Sequence, residues 1–184
     1  MRNITIILIV LLSIAIQSNA QKFITKSGNI TFYSDGPLEK IEARNTQVNS
    51  ALDIKTGDFV FKVLMKSFVF EKALMQEHFN ENYVESDKFP VAIFKGKVTN
   101  ISYDEFSTKG KYDAFVEGEL TMHGETHKIT ANGTFDISKK GIVGISKFKI
   151  ELADYNISIP GAVTGKIAEE IEISVDVMLK PLNK

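Results

Sequence analysis

The sequence predicts an all-antiparallel β-barrel or β-sandwich that forms a single domain. Apolar and polar residues alternate with a period of two in about eight segments, as in strands that bury one face. The 12 glycines and 4 prolines separate these segments at short intervals. A single amphipathic helix pattern interrupts them, at about residues 71–85, and long apolar helices that could cover a sheet are missing after residue 20.

The strand pattern begins close to the N-terminus. Residues 23–27 and 29–34 form two short alternating segments on either side of Gly28. A more polar segment follows at residues 41–52, and a clearly alternating one at residues 58–68. These segments predict the first strands of the sheet.

The second half of the chain continues the same pattern. Residues 112–122 and 127–135 surround Gly124-Glu125, a turn sequence, so they predict a β-hairpin. Further alternating segments lie at residues 89–99, 147–152 and 170–180.

One face of each predicted strand is apolar and the other is charged, which indicates a sheet closed over a single apolar interior. Such a barrel is either filled by its own side chains or holds one elongated apolar ligand. Glycines 96, 118 and 133 indicate bends in the strands, a close approach of a ligand, or a local lapse in packing. The predicted lining consists of Phe59, Phe61, Val63, Met65, Phe94, Val116, Leu120, Ile129, Phe148, Ile150, Ile173, Val175 and Val177.

The predicted helix places Met75, Phe79 and Tyr83 on one face, because they are spaced four residues apart. Pro90 and the polar residues before it end the helix. The helix interrupts a series of strands, so it is expected to lie across one end or side of the barrel. Its apolar face serves either for ordinary packing or as a gate over the interior.

The N-terminus has the features of a secretory signal peptide. Arg2 precedes an apolar run at residues 4–16, and Ser18-Asn19-Ala20 supplies small residues before a cleavage site. The run is shorter than the stretch of about 20 apolar residues that a membrane span requires. We therefore expect a signal peptide at residues 1–20 and a barrel domain at residues 21–184, in the periplasm or secreted, with a retained anchor as the alternative.

Composition excludes several classes of function. The formal net charge of −1 provides no basic surface for nucleic acid or for an anionic membrane. The chain contains no cysteine, which excludes a lipoprotein anchor, disulfide bonds and thiol chemistry. Stability must therefore come from packing and from the hydrogen bonds of the sheet.

Sequence motifs for catalysis or cofactor binding are missing. His123 and His127 flank a predicted turn, where a spacing of four does not bring two metal ligands together. Glu117 and Glu119 alternate with apolar residues, so they are expected to face water rather than form a catalytic pair. Neither a nucleophile motif nor a glycine-rich phosphate loop is present. The sequence predicts no enzyme, no metal site and no cofactor.

Three stretches carry the motifs of a known family. They are residues 83–96, with the pattern S-x-x-F-P-x-x-x-F; residues 118–129, with G-x-L-T-x-x-G-x-T; and residues 148–157, which end in Asp-Tyr-Asn-Ile. Together they resemble the YceI-like family of exported lipid- or polyisoprenoid-binding proteins, over nearly all of residues 22–180. The resemblance implies an eight-stranded antiparallel lipocalin-like barrel that holds a lipid or isoprenoid chain and performs no catalysis.

Three hypotheses about function follow. The first is an exported protein that holds an elongated apolar ligand inside the barrel. The second is a filled barrel that acts as a structural or stress-related interaction module. The third is a hydrolase, and it rests on Glu117, Glu119 and the histidines alone.

Overall fold

The computed structural model describes residues 22–161 and 165–182, so the predicted signal peptide lies outside the described residues. The chain forms eight long strands and one short one, which is β4. Their bounds are β1 Lys22–Asp35, β2 Lys40–Asp53, β3 Asp58–Leu64, β4 Val69–Phe70, β5 Val91–Val98, β6 Gly110–Met122, β7 Glu125–Ser138, β8 Gly141–Glu151 and β9 Glu170–Pro181.

The eight long strands form a closed antiparallel barrel. Their order is β1-β9-β8-β7-β6-β5-β3-β2, and β1 then pairs with β2 to close the ring. The short strand β4 pairs with β2 beside the end of β3. The predicted all-β barrel of eight antiparallel strands is confirmed, because the sheet curls until its two edge strands meet.

The first strand is one continuous element rather than the two segments expected around Gly28. Its pairing with both neighbours shifts near that residue, which marks a β-bulge. A Cβ atom on Gly28 would lie 2.7 Å from Cγ1 of Val177, so glycine lets the bulged backbone approach β9. The bulge bends β1 where it must follow the curve of the barrel.

The helical segment begins later and ends earlier than expected. Helix α1 spans Ala73–His78 and continues as a π-helical turn at Phe79–Tyr83, between β4 and β5. A second helix, α2 (Tyr103–Phe106), was not predicted and connects β5 to β6. The Ser102 side chain accepts a hydrogen bond from the Glu105 amide, and the Glu105 carboxylate accepts one from the Ser102 amide. Together they form a capping box at the start of α2.

The barrel is solid at the end that carries α2. Side chains at this end are almost completely excluded from solvent and fill the space between the strands, which leaves little free volume. They include Val48, Leu52, Phe106, Ile137, Ile142 and Leu179. We call this region the closed end, and the opposite region, which carries α1, the gate end. The part of the chain that the structure describes contains no helix long and apolar enough to cross a membrane.

The tight turn between β6 and β7 lies at the gate end. Its two residues are His123 and Gly124, with φ angles of 51° and 85°, instead of the Gly124-Glu125 pair expected from the sequence. Positive φ at both positions is the geometry of a two-residue hairpin whose twist matches that of the flanking strands. The turn directs the His123 side chain toward the neighbouring connections, and only 10% of that side chain is exposed. We call the contacts around His123 the junction.

His123 joins three of the connections at the gate end. Its Nδ1 lies 2.8 Å from the carbonyl oxygen of Tyr155, and its Nε2 lies 2.9 Å from a carboxylate oxygen of Glu85. Both partners accept hydrogen bonds, so a neutral imidazole can satisfy one of them and an imidazolium both. The ring also packs edge-on against Phe89, with 4.7 Å between centroids, and Lys88 lies 3.8 Å from the same Glu85 carboxylate.

Tyr155 closes the same junction from the connection between β8 and β9. Its ring packs against His127 and is 1% exposed, and its hydroxyl has no hydrogen-bond partner among the described residues. Burial raises the pKa of Tyr155 to about 12, with a smaller contribution from the charge of Asp154. A buried hydroxyl without a partner lowers stability, so the contribution of Tyr155 to the fold comes from the packing of its ring.

Replacing His123 by alanine is expected to lower the free energy of unfolding by about 2 kcal/mol. The variant loses the ring that contacts the Tyr155 carbonyl, the half-exposed Glu85 carboxylate and Phe89. Urea unfolding followed by circular dichroism measures this change. The matched control is His78→Ala, because His78 is exposed on α1. Equal losses in the two variants would contradict the role of the junction.

The raised pKa of Tyr155 predicts a loss of stability at alkaline pH. An unfolded tyrosine ionises near pH 10, whereas the folded protein keeps this proton until about pH 12. The folded state therefore binds more protons between these values, and its stability falls as the pH rises through them. Tyr155→Phe should remove part of this fall without loss of stability at neutral pH, as measured by urea unfolding at each pH. Tyr103→Phe, at an exposed residue, should leave the fall unchanged.

Candidate functional site

The barrel encloses a cavity of about 460 Å³. This volume falls in the range of natural small-molecule sites. Its walls are the inward faces of the strands, so almost all of the lining is apolar. The cavity extends from the gate end toward the closed end, where it stops at the filled core.

The structure places every residue of the predicted lining along this cavity. All of these residues are buried or half-buried, because each lies on the inward face of its strand, apart from Met65, which lies in the 3₁₀ turn directly after β3. They are Phe59, Phe61, Val63, Met65, Phe94, Val116, Leu120, Ile129, Phe148, Ile150, Ile173, Val175 and Val177.

Sequence reasoning missed a second group of lining residues. Some of them continue faces that the alternation had already identified, and the period of two could have found them. These are Ala92, Ala114, Ala131 and Phe135. Ile30 and Phe32 belong with these, because they alternate within the predicted segment at residues 29–34. Phe68 and Phe70 lie beyond the reach of that signal, because the 3₁₀ turn Met65–Ser67 and the two-residue strand β4 break the alternation after β3.

The helical segment covers the cavity at the gate end. The three residues predicted as a possible gate, Met75, Phe79 and Tyr83, line the cavity and are half-buried. Burial raises the pKa of the Tyr83 hydroxyl. The π-helical turn that carries Phe79 and Tyr83 is an irregularity often associated with functional sites.

Phe79 is the centre of a cluster of aromatic rings at the gate end. Its ring centroid lies 5.5 Å from Phe32, 5.6 Å from Phe68 and 5.0 Å from Phe70. These distances are those of favourable aromatic pairs. The cluster holds the helical segment onto the strands through apolar contacts, which do not fix one orientation as hydrogen bonds would.

Charged residues gather beside the aromatic cluster at the mouth of the cavity. Glu39 accepts a hydrogen bond from Lys72 at 2.8 Å, and this pair ties the start of α1 to the β1–β2 connection. The bond from Lys72 lowers the pKa of Glu39, and the same bond raises the pKa of Lys72. Lys166 also lines the cavity and contributes to the lowered pKa of Glu39. The cavity is therefore apolar along its length and polar at its mouth.

The Phe94 ring rests against backbone made of glycine. Gly96 and Gly118 face each other across β5 and β6. A Cβ atom on either would meet the Phe94 ring, at 2.8 Å from Cε2 in the case of Gly118. These two glycines therefore seat an aromatic side chain of the wall, a role that was not among those expected for them. A Cβ atom on any of the three glycines, Gly133 included, would also meet the backbone of a neighbouring strand.

Polar side chains that are buried in the barrel wall are bonded to the backbone. Asn45 Nδ2 donates to the carbonyl of Leu64, and Ser50 Oγ donates to that of Val60. Ser34 lines the cavity, and its Oγ accepts a bond from the Ala168 amide at 2.8 Å. Because these bonds satisfy the groups locally, the wall presents little polarity to the interior.

Glu117 and Glu119 lie on the outer face of β6 and are exposed. Each faces a lysine on the adjacent strand, Lys97 and Lys95 respectively. Among the described residues, no group of three or more His, Asp or Glu side chains could hold a metal ion. The two glutamates on which the hydrolase hypothesis rests therefore lie on the side of β6 that faces water.

Several solved structures share this fold at low sequence identity. A polyisoprenoid-binding domain from Saccharophagus degradans, implicated in plant cell wall breakdown, is 12% identical. The match covers 89% of this chain and 100% of that domain, with a TM-score of 0.74. BcnA from Burkholderia cenocepacia is 14% identical, with 83% and 94% of the two chains covered and a TM-score of 0.65.

A YCEI protein from Campylobacter jejuni is 15% identical, and 75% of this chain and 81% of that chain match with a TM-score of 0.58. A comparison with curated proteins found no match. The family model of the YceI-like domain matches residues 18–179, which is nearly the whole chain. The chain therefore belongs to the YceI-like family.

Proposed function

We propose that this protein is an exported binding protein that holds one elongated apolar ligand, a polyisoprenoid or another lipid, inside the barrel. The observation that carries the proposal is the cavity of about 460 Å³ with its apolar walls. Each square ångström of apolar surface that a ligand removes from water contributes about 25 cal/mol. A long, flexible hydrocarbon matches such a cavity because it makes few demands on polar partners.

Membership of the YceI-like family supports this proposal, and so does the polyisoprenoid-binding domain that shares the fold. The residues that would contact the ligand are the predicted lining from Phe59 to Val177, which the cavity brings together. A filled barrel acting as an interaction module is the alternative. The cavity disfavours it, because a filled barrel would resemble the closed end along its whole length.

The helical segment provides a route for the ligand. Met75, Phe79 and Tyr83 would act as the gate, since they lie between the cavity and solvent. Their packing is apolar and lies at one end of the barrel, so the segment can move without breaking the sheet. The Lys72–Glu39 pair and the His123–Glu85 contact would hold its two ends.

We place the protein in the periplasm or outside the cell, after cleavage near Ala20. The basic start, the apolar run at residues 4–16 and the small residues before Gln21 support this location. No catalytic step belongs to this proposal, which needs no cofactor, nucleic-acid partner or stable membrane anchor.

A charge placed in the cavity should abolish binding. Val175 is 9% exposed and faces the interior, so Val175→Asp would bury an unpaired carboxylate and cost several kcal/mol of stability or of ligand binding. The binding of cis-parinaric acid, an elongated fluorescent fatty acid, is expected to weaken at least about tenfold, equivalent to 1.4 kcal/mol.

The matched control is Val60→Asp on the outer face of β3, where the valine is 37% exposed. This variant should bind the probe as the wild type does, since surface substitutions change stability by about 0.5 kcal/mol or less. Unchanged binding by Val175→Asp would contradict the interior site. A loss in both variants would show that the effect does not depend on which face carries the charge.

A further inference from the structure

The cavity is blind at the closed end. Phe59 and Phe135 line its inner limit, with ring centroids 5.8 Å apart, and they are 5% and 2% exposed. Phe106 of α2 packs behind Phe135, also at 5.8 Å. Leu52 pairs with Phe59 across β2 and β3 and is fully buried. We call Phe59 and Phe135 the aromatic floor.

The aromatic floor has little freedom to move. A Cβ atom on Gly144 would lie 2.9 Å from Cε1 of Phe135, so that ring is pressed against the backbone of β8. The Phe59 ring packs against Phe61 with centroids 4.6 Å apart. Because close-packed interiors resist compression, a chain that reaches this floor cannot pass it.

The other end of the cavity determines how a ligand is oriented. Lys72, Glu39 and Lys166 line the mouth, whereas the aromatic floor and the wall above it are apolar. Burying a polar or charged group at the floor without partners is costly. A chain therefore enters with its apolar end first and leaves its polar end at the mouth.

We propose that the aromatic floor sets the maximum chain length of the ligand, and that the ligand is a single-chain amphiphile whose tail ends against Phe59. This inference rests on the proposed function. It adds that affinity rises with chain length until the tail reaches the floor and falls for longer chains, which must leave apolar carbons at the mouth.

The experiment uses the mature protein after removal of bound lipid, incubated with an equimolar series of saturated fatty acids from lauric to behenic acid. Native mass spectrometry reports which chain lengths are bound. The test variant is Phe59→Ala, and Phe59→Leu provides a milder change should the alanine variant fold poorly. The matched control is Phe115→Ala, because Phe115 lies on the outer face of β6, is 54% exposed and does not line the cavity.

Phe59→Ala should move the preferred chain length upward by about two to four carbons, since the truncated side chain leaves space for several methylene groups. Phe59→Leu should move it in the same direction by less. Phe115→Ala should leave the preferred length unchanged, since it does not alter the cavity. Identical length profiles for wild type and both Phe59 variants, with binding intact, would overturn the length limit alone. Absence of bound fatty acid in every protein would instead overturn the proposed function, and the length limit with it.

Discussion

Strand β1 pairs with β2 along one edge and with β9 along the other, and this double pairing closes the sheet into a barrel. Closure satisfies the backbone of every long strand and leaves no edge among them on which another chain could add. It also turns the apolar face of each strand toward a common interior. The cavity, the solid closed end and the gate end all depend on this one geometric condition.

Glycine and phenylalanine shape the space that closure creates. Gly96, Gly118 and Gly144 receive the rings of Phe94 and Phe135, so bulky side chains fit against the backbone instead of filling the cavity. At the closed end, aliphatic side chains complete the packing around Phe106 and remove the remaining space. At the gate end, the rings gather around Phe79 on a helical segment outside the sheet. The barrel is therefore densely packed at the closed end and more adaptable at the gate end.

The sequence predicts the barrel and its lining well, because both depend on local alternation. Each residue from Phe59 to Val177 in the predicted lining, apart from Met65 in the turn after β3, lies on the inward face of a strand, as the period of two requires. Phe68 and Phe70 escaped prediction since the 3₁₀ turn after β3 and the two-residue strand β4 break the alternation around them. The role of His123 was also hidden, because its partners Glu85 and Tyr155 are 38 and 32 residues away in the chain.

The proposed function requires that an apolar chain occupies the cavity. The most direct measurement is mass spectrometry of the organic extract of the mature protein, residues 21–184, purified from a bacterial periplasm under mild conditions. We expect a single-chain lipid or isoprenoid species at about one molecule per protein, because the barrel encloses one such site. An extract that remains empty in repeated preparations would contradict it and favour an interaction module that works through its outer surface.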